Sequence, residues 1–545
     1  MAFDIINPAT GETIDSYEPM PADEVQAILE QCHAAQQQWA RTSFAERARL
    51  MQAAQQQLLK NKEDYAELMT REMGKLYPQG IAEVEKCAWN CKYYAEHAER
   101  FLAPEEIHTD AQRSFVTFKP LGVVLAVMPW NFPFWQVFRF AAPALMAGNG
   151  VVLKHASSVF GCALAIEELF RAAGFPEHLF RSLIVDHPQT TEVIRNPLVA
   201  AVTITSSVAA GRAVAGEAGK VLKKCVLELG GSDPFIVLED ADIDKAVEVG
   251  IVGRFQNSGQ SCIAAKRFIV VAAVYEEFER KFVARVRELE MGDPMQEGVY
   301  VGPLARRDLR DGLHDQVSRS VAAGAKLLVG GEVPEGPGAF YPPTVLAGVR
   351  EGMAAWSEEL FGPVATLIRV RDEREAIEAW VSVGFGLIVI DAGPGKGEWL
   401  LSESSACVDC GISFPEIAPR LFSFNSPAGS CPECNGLGGL RTILPEALVP
   451  ELRDGDMVIT LGAGNVCSVG PQLLAARAQH ADLAQHVARD TTAHRPKAFR
   501  LPHVADRLVL HLQVDKLLQL GAAPQQRLDD GSEALLVGND LVHPC

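Results

Sequence analysis

Cys262 lies in "GRFQNSGQSCIAAKR", just after Gly259-Gln260, at the junction of a helix-like and a strand-like stretch. A lone cysteine is ordinarily a buried, inert hydrophobe, and only its company argues otherwise. Thirty-four residues upstream, in "VLELGGSDP", Glu228 sits in an otherwise apolar strand two residues before Gly230. An acid there is costly to bury without a role or a partner. Further back, "VMPWNFPFW" offers the amide of Asn131 between Trp130 and Phe132. The set supplies three roles: a thiolate that attacks a carbonyl, an amide that steadies the oxyanion, and a carboxylate that activates water. A second array points to different chemistry. Cys407, Cys410, Cys431 and Cys434 form a C-x2-C-x20-C-x2-C pattern, which reads as a closed tetrahedral site for a structural zinc.

Elements able to position the first set can be read from the pattern. Residues 21–105 carry helix-like periodicity rich in Ala, Glu, Gln and Arg, as in "PADEVQAILEQCHAAQQQWA". "SFVTFKPLGVVLAVMP" (114–129) breaks into short β-branched runs bounded by Pro and Gly. From 150 to about 275, strand candidates "GVVLKH", "RSLIVD", "AAVTIT" and "PFIVLE" alternate with helical stretches such as "SVAAGRAVAGEAGKVLKK". That rhythm predicts an α/β protein with βαβ units and a helix-covered parallel sheet, and a second run of the same kind spans about 276–380. Beyond 380, Gly, Ser, Pro and Cys dominate 391–440, followed by a Gln/His/Ala-rich tail.

Composition narrows the class. Apolar residues make up 48% of the 545-residue chain, enough for large cores and for three or four domains of ordinary size. Fifty basic against sixty-nine acidic residues give a formal net charge of −19, which disfavours nucleic acid as a partner. The most apolar region, 121–153, contains Pro129, Asn131, Pro133 and Arg139, so a buried strand and helix are expected rather than a membrane span. No basic-then-apolar leader opens the chain, and the cysteines are too dispersed for a secreted disulfide scaffold. The expected location is cytoplasmic.

The ordered set "PWNFP", "VVLK", "LELGG", "FQNSGQSC" and "EELFGPV" resembles the aldehyde dehydrogenase superfamily over about 1–380. "INPATGE", "EMGKLYPQGIAEVEKCAWNCKYYAE" and "LKHASSVFGCAL" look most like its succinate-semialdehyde dehydrogenase branch. The resemblance implies a Rossmann-type cofactor domain over 1–228 with a bridging hairpin near 108–122, and an α/β catalytic domain over 229–380. It implies Cys262 as nucleophile, Glu228 as base, and Asn131 with the Cys262 N–H as oxyanion hole. It also implies a dinucleotide held by Trp130, Lys154, Ser157, Ser207, Glu359 and Phe361, and a small aldehyde whose carboxylate meets Arg139. An ion-paired structural arginine is the alternative for Arg139. Ser157 stands where NAD-preferring relatives often carry an acid, and the missing repulsion of a 2′-phosphate favours NADP, with NAD tolerated.

Departures accompany the resemblance. Ser206 replaces a usual glycine, and Gln256 stands where a second substrate arginine is often found. The family's Gly-rich segment and its oligomer-forming strand are not found after "FGP", so the catalytic domain reads as C-terminally truncated. The family forms homo-oligomers; the strand that assembles them is missing from this reading. Residues 382–440 resemble the first zinc module of UvrA, 443–475 faintly resemble a muramate–amino-acid ligase, and the rest of 441–545 is an unassigned tail. Three readings stay open: an aldehyde dehydrogenase with a replaced end, a DNA-repair-type zinc module on an enzyme scaffold, and a composite of unrelated fragments.

Overall fold

A computed structural model describes residues 2–381, 387–391 and 398–402. The four cysteines of the zinc pattern, most of the 382–440 resemblance, the 443–475 resemblance and the tail lie outside the described residues. Residues up to 381 belong to one unit, whereas the strands over 387–402 belong to another.

The chain opens with β1 (Phe3–Ile6) paired antiparallel to β2 (Thr13–Tyr17). Four helices over Ala22–Phe101 follow, as their periodicity predicts. The short strands β3 (Glu105–Glu106) and β4 (Phe115–Val116) pair antiparallel, a hairpin over 105–116 that overlaps the 108–122 expected for the bridge.

Five strands then build the first sheet: β5 (Val123–Met128), β6 (Gly150–His155), β7 (Phe180–Ser182), β8 (Val199–Ser206) and β9 (Lys224–Leu229). Their order is β7-β6-β5-β8-β9 and every pairing is parallel. A sheet covered on both faces needs apolar residues at successive positions, and β5 supplies them. Val123 and Leu125 enter a core with Val152 and Val202 on one face; Ala126 and Met128 join Val151 and Leu153 in the larger core on the other. The strand predicted from "RSLIVD" stops at Ser182. Leu183, Ile184 and Val185 are buried, but Ile184 turns aside to accept from the Met20 N–H and to pack with Ile5 and Phe160.

The second sheet contains β10 (Asp233–Val237), β11 (Ala265–Val271), β12 (Lys326–Val329), β13 (Thr344–Ala347) and β14 (Val364–Val370). It runs β10-β11-β14-β13-β12, with only β12 antiparallel to its neighbour. Phe255, Phe268, Phe278 and Phe282 centre its core. In the other unit, β15 (Leu387–Asp391) and β16 (Glu398–Ser402) form an antiparallel hairpin.

In the first sheet, β5 and β6 connect on one side of the order and β8 and β9 on the other. The direction of winding therefore reverses beside β5, and ligands of open α/β sheets bind at such points, beyond the carboxyl ends of the strands. Trp130 and Asn131 follow β5, Lys154 lies near the end of β6, Ser207 follows β8, and Glu228 lies near the end of β9.

Candidate active site

The segment leading to Cys262 is held in an unusual backbone. Asn257 and Ser258 both adopt left-handed conformations (φ 55° and 54°), and Gly259 follows at φ 72°. Residues with side chains rarely take this region, and such strain collects at functional sites. Side-chain bonds hold the loop in place. Asn257 Nδ2 donates to the carbonyls of Asn131 (2.8 Å) and Gln260 (3.1 Å). Ser258 Oγ accepts from the Gly302 N–H at 2.9 Å, and Gln260 Oε1 accepts from Ala305 at 2.9 Å. A Cβ at Gly259 would stand 2.3 Å from the Gly362 carbonyl oxygen, so glycine is required twice over.

Cys262 itself is partly accessible, whereas Cys32, Cys87, Cys91 and Cys162 are buried. Burial raises its thiol pKa, while the charges of Lys266 and Arg139 pull it down and Glu359 pushes it up. Cys91 has only burial acting on it. Lys266 is a residue sequence reading missed. Its buried ammonium donates to the Cys262 carbonyl at 2.7 Å and pairs with Glu359 Oε1 at 3.1 Å.

Asn131 reaches this loop from the first sheet, its Nδ2 donating to the Gln260 carbonyl at 3.1 Å. An amide nitrogen carries two hydrogens, and among the described residues no partner takes the other. Its backbone is clamped from below by two further groups unread in the sequence. Lys75 Nζ donates to the Asn131 carbonyl at 3.1 Å, lies 3.9 Å from the Phe132 ring centroid and pairs with Glu83 at 2.8 Å. Glu83 Oε1 accepts from the N–H groups of Phe134 and Trp135, each at 2.9 Å, at the start of the helix Trp135–Met146. His155 ties β6 to the same loop. Its Nδ1 accepts from the Ala156 N–H (3.0 Å), so Nε2 carries the proton that meets the Pro133 carbonyl at 2.9 Å. Burial drops its pKa to about 4, leaving the ring neutral.

Glu228 corrects an expectation. It is not enclosed by apolar neighbours: its side chain is 37% exposed and its Oε2 lies 3.0 Å from Arg139 Nη2. β9 is an edge strand, more open than β5 or β6, which lets the carboxylate reach solvent. Arg139, expected to meet a substrate carboxylate, is thus ion-paired here, the alternative considered for it. Gln256 is exposed; the buried arginine of this region is Arg254, two residues earlier. Its guanidinium donates to the carbonyls of Val364 (2.6 Å), Leu360 (2.8 Å) and Gly362, joining the "ELFGPV" segment to the helix that precedes the cysteine loop.

The remaining candidates lie beside the cysteine loop or at the carboxyl ends of the first sheet. Trp130 and Phe361 meet edge to face at 5.7 Å. Glu359 leans over Gly230 so closely that a Cβ there would come 2.0 Å from its Oε2. Lys154 is 8% exposed. Its ammonium makes no hydrogen bond or ion pair among the described residues, with Asp186 acting on it only across space. A buried ammonium so placed is costly unless a ligand's oxygens meet it, which fits the ribose of a dinucleotide. Ser207 caps the helix Val208–Lys220, its Oγ accepting from the Ala210 N–H at 3.4 Å; the N–H groups of such a helix start suit a phosphate. Ser157 is exposed just after β6. Ser157, Ser207 and Lys154 lie at the carboxyl ends of the parallel strands, on the side of the sheet from which the Asn131 loop departs. Among the described residues no group of His, Cys, Asp and Glu side chains is placed to hold a metal ion, and no helix is long and apolar enough to cross a membrane.

A model of the aldehyde dehydrogenase family matches residues 1–389. A probable NADP(+) succinate-semialdehyde dehydrogenase of Synechocystis is 48% identical over 387 residues, covering 71% of this chain and 85% of that protein. An NAD(P)+ succinate semialdehyde dehydrogenase of Escherichia coli is 46% identical over 382 residues, covering 70% and 83%. Among solved structures, succinic semialdehyde dehydrogenase from Streptococcus pyogenes in complex with NADP+ superposes with a TM-score of 0.69 at 36% identity, covering 71% of this chain and 85% of that one.

Proposed function

The chain belongs to the aldehyde dehydrogenase family, and on that premise we propose that it oxidises succinic semialdehyde, with NADP preferred to NAD. The observation that carries the reading is the convergence of Cys262, Glu228, and Asn131 with Arg139 from three separated segments. Asn131 bonds to the loop of Cys262, and Arg139 both pairs with Glu228 and acts on the Cys262 thiol. A carboxylated four-carbon aldehyde suits a reactive sulfur and a guanidinium so near each other.

In this reading the Cys262 thiolate adds to the aldehyde carbon, and the alkoxide that forms is stabilised by the second N–H of Asn131 Nδ2. A bound nicotinamide dinucleotide supplies the hydride acceptor that the oxidation requires. Lys154 and Ser207 would hold its ribose and phosphates, Glu359 its second ribose, and Trp130 and Phe361 would flank the ring. Cys262 then carries a thioester. Glu228 takes a proton from water as the water oxygen adds to the thioester carbon, and collapse of the adduct breaks the C–S bond. Support for NADP comes from Ser157, which presents no negative charge to a 2′-phosphate, and from the NADP-linked relatives.

The test is NADP-linked turnover of succinic semialdehyde by the full chain beside Cys262→Ala. Loss of the nucleophile should lower kcat at least about a thousandfold. Undiminished turnover in the variant, or a kcat/KM strongly favouring NAD, would overturn the corresponding half of the proposal. The spacing of Cys407, Cys410, Cys431 and Cys434 carries a separate proposal, one structural zinc per chain; metal content that does not fall in Cys407→Ser/Cys410→Ser would remove it.

A further inference from the structure

We propose that the Arg139–Glu228 pair is exchanged during the reaction: the distal carboxylate of the substrate takes Arg139, and that displacement frees Glu228 to activate water. The inference rests on the substrate reading above and deepens it. Two roles otherwise thought independent, recognising the substrate's tail and hydrolysing the thioester, become one event.

Three observations carry it. First, the contact joins two residues with different expected tasks: Glu228 Oε2 lies 3.0 Å from Arg139 Nη2. A carboxylate oxygen engaged by a guanidinium is turned away from a water at Cys262, and an arginine holding a carboxylate is less open to a second. Second, the pair is built to be given up. Its side chains are 26% and 37% exposed, and pairs that open to solvent are weakly held. The Lys75–Glu83 pair beneath Asn131, at 0% and 3%, shows what a fixed pair in this molecule looks like. Third, the competing charge would arrive where it is needed. Arg139 stands eight residues after Asn131, whose amide bonds to the loop of Cys262, and its charge acts on that thiol; the exchange places the tail carboxylate of an aldehyde bonded to Cys262 at the same guanidinium. Arg139 comes from the helix Trp135–Met146 and Glu228 from the edge strand β9, so the partners can part without disturbing a shared element.

The chemistry balances with the reactants already named. The acyl group is bonded to Cys262, and its tail carboxylate replaces Glu228 at Arg139. Glu228 accepts a proton from water, the water oxygen bonds to the acyl carbon, and the C–S bond breaks to return the thiolate. An aldehyde lacking the tail carboxylate can form the thioester, but leaves Glu228 on Arg139, so its thioester persists.

Propanal and formate are the fragments left when the bond between the last methylene and the carboxylate of succinic semialdehyde is cut. With propanal and NADP, the wild-type chain should give a burst of NADPH followed by slow turnover. Added formate should raise the slow phase about fivefold or more and leave the burst rate unchanged. In Arg139→Gln the slow phase should already be raised and formate should have no effect. A readout independent of turnover is formate binding by calorimetry on protein with no cofactor added. Formate should bind Glu228→Gln more tightly than the wild type, because no carboxylate has to leave Arg139, and should not bind Arg139→Gln measurably. Equal affinity in the wild type and Glu228→Gln, or no formate effect on propanal, overturns the exchange. The substrate reading is judged separately. If Arg139→Gln raises KM for succinic semialdehyde while formate does nothing, only the exchange falls; if that KM is unchanged, both fall.

Discussion

His155 and Lys75 both hold the loop of Asn131, the amide proposed for the oxyanion: burial keeps His155 neutral, whereas the charge of Lys75 is sustained against burial by Glu83. A neutral His155 can accept from Ala156 while donating to Pro133; a second proton would remove the acceptor and strand a charge in the core. Its folded pKa is lowered to about 4 from the ordinary 6.5. The associated stability is therefore complete above pH 6.5 and is lost as pH falls through 4. A shift of that size corresponds to about 3 kcal/mol. Glu72, which accepts from the Gly161 and Cys162 N–H groups, is raised by burial to about 7. Its contribution is complete below pH 4.5 and is lost as pH rises through 7. Urea denaturation at pH 7 and pH 4 should show the wild type losing more stability than His155→Gln over that interval. Parallel losses would reject the assignment. For Cys262, burial raises the thiol pKa, so iodoacetamide labelling without cofactor should be slow at neutral pH and still rising above pH 9.

At the scale of elements, the site depends on two loops locked together by a buried arginine. Arg254 donates to the carbonyls of Leu360, Gly362 and Val364, and a methionine there would fill the space but leave those oxygens unpaired. At roughly 1–3 kcal/mol for each orphaned acceptor, Arg254→Met should lower stability by about 3 kcal/mol or more, read as a shift in the urea midpoint at unchanged slope. Gly259→Ala should cost turnover first, because a Cβ would collide with the Gly362 carbonyl 2.3 Å away beside Cys262, the proposed nucleophile. In the first sheet Leu153 is fully buried in the larger core. Leu153→Ala should cost about 2–5 kcal/mol, with NADP affinity moving little because its side chain faces away from the cleft's candidate ligands.

For the molecule as a whole, the proposed dinucleotide site draws on both sheets. Lys154 and Ser207 belong to the first, while Glu359 and Phe361 precede β14 of the second. A ligand spanning them should stabilise residues up to 381 as one body. Saturating NADP at a hundred times its Kd should add about 2.7 kcal/mol to stability and raise the Tm measurably. Lys154→Met should remove most of that rise, and Glu359→Gln part of it. An unchanged Tm in the wild type would argue against the dinucleotide site without reference to turnover.

Much of this arrangement was legible in the primary sequence because it is local. The parallel strands announce themselves as continuous apolar runs, and the motifs around Asn131, Glu228 and Cys262 carry residue types whose chemistry is readable one segment at a time. The contacts that give those residues their surroundings are between segments far apart in the chain. That Lys266 meets Glu359, that Lys75 and Glu83 hold Asn131, that Asn257 takes a left-handed turn, and that Arg139 holds Glu228 were each decided by how segments remote in the chain pack together. Distance along a chain says nothing about which charge a folded backbone will set beside another, and it is that neighbourhood which fixes burial, partners and protonation.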